Sequence, residues 1–391
     1  MPTEALPPQS SGPTSTNRAA VRMSRLYRKG MKLLAIESSP VSEFHLTLTP
    51  QQGETTKDLA QRLAEILHLH EATIVRHIVF GSVNEQSPTV AALRQALEDP
   101  TLPVLWVEGT SCTGGPIAGM QIHAIAGAKV RTIGNGELPL GRVWKDAVAT
   151  HCVLGSLGPT QLPADAPVQT RQTFANLQAG LAQAGMTMKD VARTWFFLDD
   201  ILSWYGEFNR VRNDFFAQSE LRPGSVPAST GVSGWNPAGA ALVAAAWAVR
   251  SHETDYRAVE FVASPRQCPA PAYGSAFSRA VEIHSAGFRQ LLVSGTASIA
   301  PDGNTAHVDD VRSQIELSME VVSAILASRT MQLADVSRAT AYFKSPADAR
   351  LFKQWLDRRG LSELPVVLAG CDICRDDLLF EIELDAIRVS H

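Results

Sequence analysis

At 391 residues the chain is long enough for two or more domains and a large core. Its hydrophobic content of 45% and charged content of 19% are ordinary for a soluble globular protein. A formal charge of −4 excludes the overall basic surplus of a nucleic-acid binder and leaves only a local basic cleft open, while no apolar run approaches the roughly 20 residues of a membrane span. Cys112, Cys152, Cys268, Cys371 and Cys374 are odd in number and irregular in spacing. They do not read as a disulfide framework, and a reducing cytoplasm is the expected compartment.

The chain opens on a stretch rich in Pro, Ser, Thr and Gln with no hydrophobic signal region, which reads as a disordered tail. Arg18, Arg22, Arg25, Arg28, Lys29 and Lys32 follow. Residues 1–37 are therefore assigned to a disordered and basic leader, a solvated segment or, as the alternative, a targeting presequence. From 38 to 149 the pattern predicts helices at 57–67 and 88–97 and strands at 73–80, 103–107 and 120–126.

From 150 to 257 it predicts a strand at 152–155, a helix at 168–184, a strand at 191–198, a helix at 204–217, and closing strands from Val226 and Ala240. From 258 to 391 the same order returns. A strand at 288–296 ends at a Gly turn, and apolar spacing of three and four marks a helix over 311–328. A strand at 336–343, a helix at 347–359 stopped by Gly360, and strands at 365–373 and 378–389 complete it. The second and third units read β-α-β-α-β-β and the first as a fainter, shortened copy, each an α+β layer of sheet against helices.

The last two units are copies. Met186, Asp190, Val191 and Arg193 recur at a constant offset as Met331, Asp335, Val336 and Arg338. Their final strands differ, one running Leu242 to Val249 and the other Phe380-Glu381-Ile-Glu383-Leu-Asp385-Ala-Ile387. Glu381 stands where the earlier copy has Val243, and the first unit is read with Gln121 there. An acid kept in only one of three copies points to chemistry at that copy. Three such units are expected to pack as an intramolecular pseudo-trimer; two unrelated α+β domains are the alternative.

At these residues the chain resembles the Rid family of reactive-intermediate deaminases, whose small subunits form homotrimers with sites between subunits. The Phe380-Glu-Ile-Glu-Leu-Asp-Ala386 strand is similar to that family's last strand. The family's carboxylate-gripping Arg, two residues after a strand proline, is replaced by Val367, Ser229 and Leu105 in the three units. A tandem single-chain protein of this kind resembles the chorismatases, through Gly141-Arg-Val-Trp144, Pro271-Ala-Tyr-Gly-Ser-Ala-Phe-Ser-Arg279 and the Glu381 strand.

That resemblance implies cleavage of the enolpyruvyl ether of chorismate with release of pyruvate, Glu381 being the acid. It implies that Gly287 and Cys374 determine the product and mark the branch that makes 3-hydroxybenzoate. A hydrolytic branch giving 3,4-dihydroxycyclohexa-1,5-dienoate, a branch giving mixed hydroxybenzoates, and a Rid-like imine deaminase are the alternatives.

The chemistry fits the residues. Protonating an enol ether at carbon needs a positioned acid, and a carboxyl serves near pH 7 only when burial raises its pKa. Glu381 lies among apolar neighbours, with Glu383 on the same face of the strand. Chorismate carries two carboxylates, so Arg279 and Arg142 are candidate anchors, with Tyr205 and Tyr273 as hydroxyl donors. Cys371-Asp-Ile-Cys374 lies at a strand end with no second pair, and His68-Leu-His70 has no third ligand, so no metal or cofactor is expected. The expected partner is the small-molecule substrate, with no nucleic acid or membrane, and the chain is expected to be a monomer or weak oligomer.

Overall fold

The computed structural model describes residues 21–390, except 135–138, 163–164, 220 and 222–225; the side chains of residues 272 and 273 also lie outside the description. Three sheets organise the chain. The first unit comprises β1 (Arg22–Arg28), β2 (Met31–Glu37), β3 (Ser42–Leu48), α1 (Thr56–Leu69), β4 (Thr73–Gly81), α2 (Gln86–Ala96), β5 (Leu105–Val107), β6 (Thr110–Ser111) and β7 (Ile117–Ala126).

The second comprises β8 (Arg131–Gly134), β9 (Pro139–Lys145), β10 (Ala149–Leu157), α3 (Ala166–Gln183), β11 (Val191–Leu198), α4 (Ile201–Gln218), β12 (Ala228–Ser233) and β13 (Leu242–Ser251). The third comprises β14 (Val259–Val262), β15 (Ala280–Ser285), β16 (Phe288–Ala297), α5 (Val311–Ser328), β17 (Val336–Phe343), α6 (Ala349–Arg358), β18 (Val366–Gly370) and β19 (Phe380–Val389).

The strand orders are β1-β2-β3-β7-β4-β5, β8-β9-β10-β13-β11-β12 and β14-β15-β16-β19-β17-β18, the last extended by β6 of the first unit. They are one topology used three times, as the tandem Rid-like α+β reading requires. Each unit carries two strands more than the β-α-β-α-β-β order read from the sequence. That moves two boundaries.

Arg22 to Glu37, assigned above to a solvated leader, is the β1–β2 hairpin, paired in full register from Arg22↔Glu37 to Arg28↔Met31. Arg22 and Arg28 are exposed on this edge strand, where charge discourages further pairing, while Arg25 donates to the Val336 carbonyl at 2.8 Å and Lys32 to the Ser362 and Leu364 carbonyls at 2.9 and 3.0 Å, tying the hairpin to the third unit. The segment 1–20 lies outside the described residues. Likewise β8 and β9, at 131–145, belong to the second sheet and not to the first unit.

The helices seal their own sheets. The second unit, for example, packs Phe174, Leu177 and Leu181 of α3 and Phe208 of α4 on Phe196 and Leu198. A fourth cluster belongs to no single unit: Ile78, Phe80 and Leu105 meet Trp195, Phe197 and Val243, and then Tyr342, Val367 and Ala369. Both faces of each sheet are thus covered, and the inner faces converge on a common centre.

Three arginines mark that centre. β4, β11 and β17 each break register against their partner strand just before Arg76, Arg193 and Arg338. All three guanidiniums lie over the Trp195 ring, at 5.1, 4.8 and 5.6 Å from its centroid. The sequence reading found the second and third and missed Arg76. Only the third unit supplies the neutralising acids. Glu383 accepts from Arg193 at 2.6 Å, Arg338 at 2.9 Å, the Trp195 indole at 2.8 Å and the Thr230 hydroxyl at 2.6 Å. Asp385 accepts from Arg338 at 2.7 Å and Arg76 at 3.0 Å. Buried charge on this scale is tolerable because each ion is paired and hydrogen-bonded.

Candidate active site

Register fixes the equivalences. Glu381 pairs with Tyr342, Val243 with Phe197 and Gly119 with Phe80, each two strand repeats beyond the shared arginine. Val243 therefore matches Glu381, as the sequence implied. Gln121 does not: it pairs with Ile78 and occupies the place of Glu383. The first copy is too divergent for its register to be read from sequence, and the offset of two residues preserves the inward face, so nothing in the pattern signals the slip.

Glu381 projects into a cavity of about 210 Å³ between the second and third units. From the second unit, Tyr205, Asn209 and Arg212 line it from one face of α4, being four and then three residues apart, and Ser229 and Gly231 from one face of β12. The third unit adds Gly295 and Ala297 of β16, and Cys374 from the loop before β19. Arg279 closes the wall; its guanidinium donates to the Cys268 carbonyl at 2.8 and 3.1 Å and stacks over Phe277 at 5.4 Å. Arg212 donates to Asn209 Oδ1 at 2.7 Å and lies over Phe208.

The carboxyl is tuned by its surroundings. Burial first, and then the nearby Glu383 charge, raise the Glu381 pKa to about 8, against the opposing pull of Arg193 and Arg279. Glu383 differs although it is equally buried. Burial works to raise its pKa, but Arg338 and Arg193 outweigh it and hold the carboxyl below the usual range. Two carboxyls on one strand face thus take opposite states near neutral pH, one a proton donor and the other a fixed anion. Burial and then Glu381 push the Cys374 thiol up to about 12. Burial and then Cys374 hold the Tyr205 hydroxyl above its ordinary range, and Tyr205 bonds with Ser275. Both are neutral at pH 7, so neither is a nucleophile in waiting.

Of the residues singled out in the sequence, Glu381, Cys374, Arg279 and Tyr205 meet at this cavity. Gly287 does not. It forms the β15–β16 turn at φ +88, at the opposite end of β16, where an added Cβ would come within 2.5 Å of Val21 Cγ2. The glycines at the cavity are Gly295 and Gly231. Arg142 does not reach it either. It sits on β9 at the seam with the first unit, ion-paired to Asp99 at 2.5 Å and bonded to Thr132 and Thr101. The Tyr273 side chain lies outside the described residues.

Arg212 and Asn209 were missed in sequence. Polar residues in the body of an amphipathic helix look like a solvated face, and only their spacing from Tyr205 could have flagged them.

Two groups among the described residues bring three ligand-type side chains together: Glu43, His45 and His123, and Glu260, Glu282 and His284. Neither borders the cavity. The His45 and His123 rings stack at 4.4 Å with 14° between their planes, and their Nε2 atoms lie 3.4 and 3.1 Å from Glu43 Oε2. Glu43 and His123 share a 3.1 Å hydrogen bond. Glu282 and Glu260 are matched by Arg289 and Arg329.

A family described as Endoribonuclease L-PSP matches residues 149–235, which is most of the second unit. Among characterised proteins, a 3-hydroxybenzoate synthase of Streptomyces hygroscopicus is 26% identical over 241 residues, 55% of this chain and 68% of that protein. A chorismatase of the same organism is 26% identical over 218 residues, 49% of this chain and 60% of that protein. A chorismatase crystal structure superposes with a TM-score of 0.63 over 90% of this chain and all of that one, at 17% identity. With its three Rid-like sheets and an acid retained only in the last, the chain is similar to the chorismatases in sequence and shares their fold.

Proposed function

We propose that this chain cleaves the enolpyruvyl ether of chorismate, with Glu381 as the acid. The observation that carries the reading is a carboxyl kept neutral to about pH 8, facing a small cavity whose wall also holds Arg212 and Arg279. Two guanidiniums suit a substrate with two carboxylates, since each can take one in a forked pair of hydrogen bonds. Tyr205, neutral and buried, serves as a hydroxyl donor.

Glu381 delivers its proton to the terminal methylene carbon of the enolpyruvyl group. The alkene electrons form the new C–H bond and leave a cation stabilised by the ether oxygen. The neighbouring ring hydroxyl then displaces that oxygen, closing an arene-oxide-like three-membered ring as the ring C–O bond breaks and pyruvate departs. Opening of that ring and loss of a ring proton restore aromaticity, giving 3-hydroxybenzoate and returning a proton to the site. Chorismate is divided between the two products with no water consumed. Water attack in place of the ring hydroxyl would give the dihydroxy diene. Cys374, beside Glu381 with an un-ionised thiol, is the proposed determinant of which oxygen arrives.

The test is incubation of the purified protein with chorismate, products being separated and identified by mass. Pyruvate with 3-hydroxybenzoate is expected. Pyruvate with the non-aromatic diene would keep ether cleavage and overturn the branch. Unconsumed chorismate, with ammonia released from an amino-acid-derived imine, would replace the reading with a Rid-like deaminase.

A further inference from the structure

The pseudo-threefold arrangement generates three clefts, and the cavity at Glu381 is one of them. At the cleft between the third and first units, Gly119 stands in the acid's place, and an added Cβ there would lie 2.8 Å from Val367 Cγ2. Thr47 and Gln121 reach across this cleft to the Pro365 and Ala339 carbonyls. It is filled.

The cleft between the first and second units is open. Its cavity is about 500 Å³, larger than the one at Glu381, and within the range of small-molecule pockets. Its construction follows the same plan. Val243 replaces Glu381, Val104 just before β5 and Trp106 within it stand where β12 offers Ser229 and Gly231, and Ser156 takes the place of Gly295 in the matching bulge of β10.

The chemistry of the wall is different. Leu140, Leu157, Leu242 and Val243 surround Trp106, and no Arg, Lys, His, Asp or Glu is among the described residues lining it. Four polar side chains of the wall already have protein partners: the Trp106 indole donates to Gly81 O at 3.1 Å, Ser156 to Val104 O at 2.6 Å, Asn176 to Gly158 O at 2.8 Å and Asn236 to Ala240 O at 2.7 Å. An anion would be desolvated here with no counter-charge from the described lining residues, whereas apolar surface would be buried against a wall whose polar groups are mostly satisfied.

We propose that this cavity is a second small-molecule site, selective for an uncharged, largely apolar ring compound and independent of the site at Glu381. The lost acid and the absence of cations among the described lining residues would make it a binding site without turnover. Because Val104, Trp106 and Val243 come from strands of the common inner core, occupancy would brace the seam between the first two units.

The probe is N-phenyl-1-naphthylamine, a neutral dye whose fluorescence rises on leaving water, titrated into the full chain. A saturable rise with one site per chain is expected. Ala238→Trp and Thr160→Trp place bulk at the exposed lip of the cavity, and each should weaken binding by about tenfold or more while leaving the circular dichroism unchanged. Glu381→Gln should bind the dye as the parent does. A co-crystal structure with the dye locates it without recourse to variants. Absence of a saturable rise, indifference to both tryptophans, loss of binding in Glu381→Gln, or density showing a segment of the chain or a second copy in the cavity would each overturn the proposal.

Discussion

Gly295 and Glu381 share one space: a Cβ built on residue 295 overlaps Glu381 Oε1. β16 breaks register with β19 between Val293 and Thr296, and Gly295 sits unpaired in that bulge with the Glu381 side chain against it, while the strand partner of Glu381 is Ala297. Bulges commonly re-aim side chains beside active sites. Here the bulge and the missing side chain together let a carboxyl stand upright in a cavity walled by backbone. The Gly295 amide is held by the Thr230 hydroxyl at 3.0 Å, and that hydroxyl also donates to Glu383. The cleft geometry is thereby tied to the buried charge cluster.

Gly295→Ala should therefore fold, since the amide and its partner remain, at a cost of about 1–3 kcal/mol for overpacking. Turnover of chorismate should fall by about 100-fold or more, because the carboxyl is displaced from the substrate. Steady-state kinetics beside a thermal melt check both parts. Near-normal turnover would show that Glu381 does not work from the position it occupies here.

A general acid must hold its proton, so kcat/KM should be level below about pH 8 and fall about tenfold per pH unit above it, following the free enzyme's Glu381. Glu381→Gln should retain the fold, lose most turnover and lose that descending limb. Stability supplies an independent reading. The pKa of Glu381 is raised on folding from 4.5 to about 8, so between those values the folded chain holds a proton that the unfolded chain has released. This group's contribution is complete below about pH 4.5 and is lost as pH rises towards 8. The stability of Glu381→Gln relative to the parent should climb over that window, measured as denaturant midpoints at pH 5 and pH 8. A flat difference would mean an unshifted carboxyl.

The sequence made legible what depends on repetition and periodicity. The helix at Val311–Ser328 and the strands Val191–Leu198 and Val336–Phe343 fall where the pattern puts them, and the contrast between Glu381 and Val243 found the acid. What it hid depends on the third dimension. The basic run at Arg22–Arg28 looks solvated because what engages it is distant in sequence: β2 pairs with it as a hairpin, and Arg25 reaches the Val336 carbonyl of the third unit. Arg142 has the chemistry of a carboxylate anchor, but Asp99, distant in sequence, already occupies it. Gly287 and Gly295 are indistinguishable as letters; one makes a turn and the other makes room. Arg76 is the third member of a set whose other two members were seen, hidden by the divergence of its unit.

Glu383 neutralises Arg193 and Arg338 at the common centre, and Glu383→Gln would leave those buried cations underpaired. A loss of about 3–5 kcal/mol is expected, read from chemical denaturation. In the fraction that folds, the Glu381 limb should move to lower pH, because the Glu383 charge that raises it is gone while Arg193 and Arg279 still lower it. A variant as stable as the parent would mean that the arginines find other partners. An unmoved limb would mean that burial alone sets the acid.

Cys374 and Gly287 carry the same expectation from sequence, but only Cys374 borders the cavity, so the pair can be separated by mutation. Cys374→Val replaces an un-ionised thiol that contacts Tyr205 with a branched apolar group beside Glu381. It should shift the product from 3-hydroxybenzoate towards the dihydroxy diene, because the oxygen that reaches the ring carbon depends on the packing at this wall. Gly287→Ala should leave the product ratio unchanged and cost about 1–2 kcal/mol, since φ is +88 there and Val21 blocks the added carbon. Product ratios from chromatography on both variants decide the matter. An identical mixture from Cys374→Val would remove Cys374 as the determinant. An altered mixture from Gly287→Ala would mean that the turn controls the cavity from the far end of β16.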